Sequence, residues 1–394
     1  MTSSWLPIAD RIHNLPPYPF ARLEELRASA RSQGIDLIDL GMGNPDGSTP
    51  QPIIESAISA LQDPKHHGYP PFEGTLEFRT AITQWYDRRY QVKLDPNCEA
   101  LPLIGSKEGL NNLAMAYINP GDVVLVPTPA YPPHFRAPLI AGAELHELVL
   151  RPENNWLIDL DQIPLSVAQK AKIMYFNYPT NPTTATAPRA FFEQIVAFAH
   201  QHKILLVHDM AYAELAFDQY QPTSLLEIPG AIDIGVEFHT LSKTYNMAGW
   251  RVGFVVGNRH IIQGMRTIKT NIDYGIFSAI QVAAKTALEL PDSHLETVRQ
   301  RYQQRRDFLV EGLNQLGWQM KKPSATMYLW VPCPRGMASG EFALELLQKA
   351  QIIVTPGSAF GRGGEGYVRV SLIANCDYLG KALDQIQKAG IRYT

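Results

Sequence analysis

The sequence predicts an α/β protein: a large domain with a mostly parallel seven-stranded sheet, joined to a smaller α+β domain. Two observations carry this expectation. From about residue 75 the pattern repeats as strand, loop, helix, which places parallel strands under covering helices. After about residue 276 that repeat gives way to a long helical stretch, and then to short strand-like runs around one further periodic segment.

Taken in order, the opening stretch through Leu15-Pro16-Pro17-Tyr18-Pro19-Phe20 is proline-rich and reads as irregular. Ala21 to Gln33 reads as a helix, with Gly34 as its C-terminal stop. Ile35 to Leu40 alternates as a strand and runs into the turn-rich loop Gly41–Gly47. The seven candidate strands are Ala100–Ile104, Val123–Val126, Glu144–Leu148, Ile173–Phe176, Ile204–Val207, Val236–Thr240 and Val252–Val256. Helical periodicity lies between several of them, as in Ala190–His200. Helical character then extends from roughly Ile276 through Leu316, followed by Tyr328–Val331, Phe342–Ala350, Ile352–Thr355 and Tyr367–Leu372. No internal repeat or low-complexity tract interrupts the chain.

The 394 residues are enough for two domains, and 45% hydrophobic content is ordinary for a globular protein. A net charge of −3 gives no general attraction to nucleic acid or to an anionic membrane, so an anion site must be local. Cys98, Cys333 and Cys376 are far apart and odd in number, as free thiols of a reducing compartment are. The N-terminal stretch lacks a signal-peptide apolar core, and no apolar run approaches the roughly 20 residues that span a bilayer. These features predict a cytoplasmic protein.

Chemistry concentrates at the predicted strand ends, where open α/β sheets place their ligands. Lys243 stands between Ser242 and Thr244, with Arg251 eight positions on, so an amine able to form an imine lies beside a place for an anion. Alone it would read as a surface lysine; cationic neighbours and partial burial would lower its pKa and free it as a base. Asp209 ends the apolar run Ile204–Val207 after His208; a buried carboxylate there needs a cationic partner, the alternative being a helix N-cap. Gly105-Ser106-Lys107-Glu108-Gly109 follows a strand and opens a helix, a natural anion site that is compatible with Ser106 as a plain cap. Arg251 can add a bidentate contact, and Thr240 and Ser242 hydroxyl donors. Arg369 sits in the alternating strand Tyr367–Ser371, where an inward arginine needs an anion, either a ligand or a structural ion pair.

Thr240–Gly253, Val207–Tyr212 and Asn177–Thr183 together resemble the fold-type-I aminotransferases that use pyridoxal 5′-phosphate (PLP), and the resemblance covers nearly the whole chain. It implies an amino-acid biosynthetic enzyme acting on amino-acid and 2-oxo-acid substrates. Lys243, Asp209 and Tyr212 would be catalytic: Lys243 forms the imine with the cofactor and shuttles the proton, Asp209 pairs with the pyridinium, and Tyr212 with Asn181 donates to the phenolic oxygen. Ser106, Lys107, Thr240, Ser242 and Arg251 would surround the phosphate, and Tyr131 would stack on the ring, although a Tyr-Pro turn can also be mere packing. His134 reads as structural. Arg369 would bind the substrate α-carboxylate, with Tyr18, Gly43 and Asn181 as further substrate contacts. Tyr69 would reach the phosphate of the neighbouring subunit, so a homodimer is implied. The family pattern also implies domains at 49–289 and at 1–48 plus 290–394.

Within that family the nearest resemblance is to bacterial glutamate–pyruvate (alanine) aminotransferases, through Leu15–Tyr18, Met42–Gly47, Ile104–Gly109 and Thr240–Lys243 with Asn246–Arg251. Aspartate or LL-diaminopimelate aminotransferases, and a PLP-dependent β-lyase on the same fold, are the alternatives. A PLP-sensing regulator would need a DNA-binding domain for which there is no spare length or basic patch. Gly361–Gly366 satisfies G-x-G-x-x-G but precedes a strand near the C-terminus, so it reads as a loop. His66-His67 and His202/His208 lack a matching ligand set, so no metal is expected.

Overall fold

The computed structural model describes residues 8–16, 32, 34 and 36–393. The helix expected over Ala21–Gln33 and the substrate contact expected at Tyr18 lie outside the described residues. The strands are β1 (Ile38–Asp39), β2 (Ala100–Leu103), β3 (Val123–Thr128), β4 (Glu144–Val149), β5 (Ala171–Phe176), β6 (Leu205–Asp209), β7 (Gly235–Thr240), β8 (Gly253–Gly257), β9 (Tyr328–Pro332), β10 (Ile352–Ile353), β11 (Thr355–Pro356) and β12 (Tyr367–Ser371). The longer helices are α1 (Gln51–Gln62), α2 (Leu76–Tyr90), α3 (Ser106–Tyr117), α4 (Pro133–Ala141), α5 (Arg189–His202), α6 (Arg259–Ile272), α7 (Ser278–Glu289), α8 (Asp292–Gln315), α9 (Ser339–Ala350) and α10 (Cys376–Lys388).

The seven expected strands form one sheet in the order β2-β8-β7-β6-β5-β3-β4. Pairings from β4 through β7 are parallel, and β8 runs antiparallel to both β7 and β2. The central strands are buried on both faces, which is why they read as unbroken apolar runs. The topology aims the ends of β3, β5, β6 and β7 at one edge, where Tyr131 and Asn177 follow their strands and Asp209 and Thr240 close theirs.

The long helical stretch expected from Ile276 to Leu316 is two helices, α7 and α8. Pro291 divides them: it has no N–H to donate, and it pushes Leu290 out of helical backbone to φ −61°, ψ 144°. The strand expected over Ile35–Leu40 is reduced to β1, which pairs in parallel with β10.

Beyond α8, the strands β11-β12-β9 form a three-stranded antiparallel sheet. Ile38 and Leu40 share a core with Leu309, Leu329, Val368 and Leu379, and Ser371 N donates to Leu40 O at 2.8 Å. That bond fixes the following loop, Gly41–Asn44, beside β12. Gly361–Gly366 is a short turn leading into β12, with Gly363 N donating to Thr128 Oγ1 at 3.0 Å.

Candidate active site

A cavity of about 290 Å³ opens where the C-terminal ends of β5, β6 and β7 meet the Gly41–Asn44 loop, β9 and β12. Of the described residues expected in the site, all but Tyr69 line it: Gly43, Ser106, Lys107, Tyr131, Asn181, Asp209, Tyr212, Thr240, Ser242, Lys243, Arg251 and Arg369. Lysine or arginine supplies four of these and a carboxylate one, so the cavity suits an anionic ligand.

Lys243 lies in a four-residue helical turn directly after β7, and Thr240 caps that turn by accepting from Ser242 N at 3.2 Å. Its Nζ donates to Gly43 O at 2.6 Å. Burial pushes the Lys243 amine below its ordinary pKa, and Arg369 and Arg251 push the same way, while Tyr328 opposes them.

Asp209 is the last residue of β6, not a helix cap, and is 3% exposed. Its Oδ2 is 2.9 Å from His134 Nε2, so the histidine orients the carboxylate. Among the described residues, Asp209 Oδ1 meets no hydrogen-bond donor. A buried carboxylate oxygen in that condition is costly unless a ligand satisfies it. Asn177 holds the surrounding backbone by donating to Asp209 O at 2.5 Å while accepting from Asn181 N at 2.8 Å.

At the opposite end, Gly105 rather than Ser106 occupies the cap position of α3, and Ser106 is the first helical residue. Gly105 holds φ +78°, and a side chain there would overlap the Arg251 guanidinium. The glycine thus lets Arg251 lie against the first turn of α3, whose amides have no carbonyl one turn earlier. Glu108 reaches back to accept from Ile104 N at 3.0 Å and pairs with Lys269, fixing the strand-to-helix turn.

Arg369 is buried, with Nη1 donating to Asn181 Oδ1 at 2.9 Å and Nη2 to Gly41 O at 2.8 Å. Both acceptors are neutral oxygens, and Asn181 lines the cavity. Tyr328 and Phe360 present ring faces to it, with centroids 4.2 and 4.9 Å from Arg369 Cζ.

Tyr69 stands apart. It is 83% exposed and stacks on Tyr274 at 4.5 Å between centroids. Sequence reading missed Tyr328, Asn177 and the His134–Asp209 bond. Strand alternation could place Tyr328 on a face, but nothing local shows which hydroxyl reaches the cavity.

An amine, an unsatisfied buried carboxylate and a cation-lined anion cradle in one cavity fit an imine-forming cofactor that carries a phosphate. The Aminotransferase class I and II family matches residues 35–383. The chain belongs to the class I and II aminotransferases. LL-diaminopimelate aminotransferase 2 of Trichormus variabilis is 48% identical over 387 residues, covering 98% of this chain and 99% of the relative. LL-diaminopimelate aminotransferase of Syntrophobacter fumaroxidans is 48% identical over 380 residues, covering 96% and 98%. The apo structure of BacF from Bacillus subtilis superposes with a TM-score of 0.95 at 38% identity, covering 99% and 100%. The two aminotransferase relatives carry the name of the LL-diaminopimelate alternative rather than that of glutamate–pyruvate aminotransferases. The aminotransferase's cofactor is PLP, and the cavity fits it through the orphaned Asp209 Oδ1 and the Gly105–Arg251 cradle.

Proposed function

We propose that this aminotransferase moves an amino group between LL-diaminopimelate and a 2-oxo acid, as a step of amino-acid biosynthesis. The reaction reading is carried by one observation: a lysine amine lines the same cavity as the orphaned Asp209 oxygen and the buried Arg369. The substrate reading is supported by the names of relatives that match over nearly their whole length.

PLP, when bound, supplies an electron sink for the charge left at the substrate Cα. The chain's residues do the rest. Asp209, steadied by His134, offers Oδ1 to the protonated ring nitrogen. Asn181 and Tyr212 donate to the phenolic oxygen, and Tyr131 covers the ring. Ser106, Lys107, Thr240, Ser242 and Arg251 bind the phosphate. Lys243 would hold the cofactor as an imine; its amine, disfavoured as ammonium, would take the proton from the substrate Cα. Arg369 grips the α-carboxylate with its planar fork, and Gly43 leaves room for the substrate.

The same reading assigns residues 49–289 to a large domain and 1–48 with 290–394 to a smaller one, with the cavity between them. It makes the active unit a homodimer in which Tyr69 completes the partner's phosphate site. The exposed stack of Tyr69, Tyr274 and Phe72 supports that role, because such an aromatic patch suits burial against another chain.

The test is a panel of LL-diaminopimelate, alanine, aspartate and glutamate as donors, against pyruvate and 2-oxoglutarate. LL-diaminopimelate should give a kcat/KM at least about a hundredfold above alanine, the scale available to a site that pairs with a substrate's polar groups. Alanine or aspartate as the preferred donor would overturn the substrate assignment, and elimination without amino transfer would point to the lyase alternative.

A further inference from the structure

Tyr328 opens β9 and is buried, yet its hydroxyl reaches the cavity. It lies 3.2 Å from the Tyr212 hydroxyl. A side chain at position 43 would overlap that hydroxyl, so the glycine is what admits it. The carbonyl of the same Gly43 accepts from Lys243 Nζ at 2.6 Å. Tyr212, Lys243 and Arg369, three groups used in the reaction, thus surround a tyrosine that the reaction has not yet used.

A hydrogen bond between two hydroxyls uses one proton, so one tyrosine donates and the other accepts. The surrounding charges decide which. Arg369 on β12 lies over the Tyr328 ring, and Lys243 approaches from the turn after β7. Tyr212 faces it from the loop after β6, and the neutral phenol of Tyr302 on α8 lies within reach of its charge. Among the described residues, Arg369 and Lys243 are thus the charges that act on Tyr328. Burial works to raise the Tyr328 pKa, but Arg369, Lys243 and the Tyr212 hydrogen bond outweigh it and hold the phenol below its ordinary value. Burial pushes Tyr212 well up, and the charge of Tyr328 adds to that.

We propose that Tyr328 is a further proton-holding residue of the site, its oxygen accepting the Tyr212 hydrogen bond while no cofactor takes that proton, beside the Lys243 amine. The proposal rests on reading Lys243 as the catalytic amine. The pair Lys243 and Tyr328 can hold one proton in either of two arrangements. Ammonium with phenolate becomes amine with phenol when an N–H bond breaks and the Tyr328 O–H forms, with no change in net charge. Tyr328 thereby governs how much neutral amine is present at a given pH.

The test uses the full-length chain labelled at tyrosine Cζ and titrated by ¹³C NMR, with and without PLP. Tyr328→Phe identifies the resonance. It should titrate below the other tyrosines, and Tyr212→Phe should move it upward. Should Tyr328→Phe not fold, Lys243→Ala serves instead: the lowest-titrating tyrosine should move up when the cation is removed. In the PLP-loaded enzyme, Tyr328→Phe should shift the acid limb of the kcat profile downward, because Lys243 is a free amine only once substrate has displaced it, and no phenolate then remains to favour its ammonium. A Tyr328 that titrates with or above the other tyrosines, or that ignores both Tyr212→Phe and Lys243→Ala, overturns the proposal; so does an acid limb that stays in place. The titration needs no substrate, so a failed donor panel would sink the functional reading and leave this assignment standing.

Discussion

Asp209 and Arg369 are both buried charges, but their surroundings differ. Asp209 keeps one oxygen on His134 and leaves the other to the cavity, whereas Arg369 spreads its fork over Asn181 and Gly41. The guanidinium is therefore already aimed when a carboxylate arrives. Arg369→Lys should raise KM for every amino donor, at a cost of about 2–5 kcal/mol, with PLP retained. Steady-state kinetics check this: unchanged KM, or equal loss of thermal stability with and without substrate, would make Arg369 a structural residue. Asp209, Lys243 and Arg369 were legible in the sequence because each is a charged residue at or within an apolar strand pattern, which demands a reason. Tyr328 was not legible. A tyrosine in an apolar strand raises no such demand, and its position over Gly43 depends on a loop nearly three hundred residues away.

The strand β7 carries the other buried charge that matters. Glu237 accepts from His208 Nδ1 at 2.7 Å, His239 Nε2 at 3.0 Å, Ser224 Oγ at 2.9 Å, Leu225 N at 2.7 Å and the Tyr86 hydroxyl. His208 adjoins Asp209 and also contacts Tyr178 O at 3.0 Å, so this carboxylate fastens together the strand ends that carry the site. Burial works to raise the Glu237 pKa, but the bonds from His208 and His239 outweigh it and hold the group well below its ordinary 4.5. A carboxylate held low contributes stability above its unfolded pKa and loses it as pH falls toward the folded one. Glu237→Gln should thus destabilise the fold by about 3 kcal/mol at pH 7, the scale of a broken buried pair. Wild type and variant should converge as pH falls below 4.5, because only the wild type has this contribution to lose. Urea denaturation at both pH values checks it, and a gap independent of pH would contradict it. Six strands of the large sheet were legible because burial on both faces writes itself as apolar runs; the edge strand β4, Glu-Leu-His-Glu-Leu-Val, is largely exposed or half-buried. The break between α7 and α8 was missed although Pro291 stood in view, because helical periodicity resumes on both sides of it.

At the scale of the whole molecule, the cavity draws on pieces far apart in the chain. Gly43 comes from one end, Lys243 from the sheet, and Tyr328 and Arg369 from the other end. Local pattern could not reveal that assembly, since β1 is only two residues long and its partner β10 lies more than three hundred residues on. Only the resemblance to a family implied it. The proposed homodimer extends the argument across a second chain. Mixing Tyr69→Phe with Lys243→Ala subunits should recover activity above either parent, because one of the two sites in a heterodimer then has both residues intact. Verified heterodimers without recovery would assign Tyr69 to its own subunit. The central claim is narrower, that Lys243 is the amine on which the chemistry turns. Borohydride treatment of the PLP-loaded protein followed by peptide mapping tests it most directly. The account predicts a covalent adduct on Lys243 and none in Lys243→Ala; an adduct on another lysine, or its persistence in that variant, would contradict it.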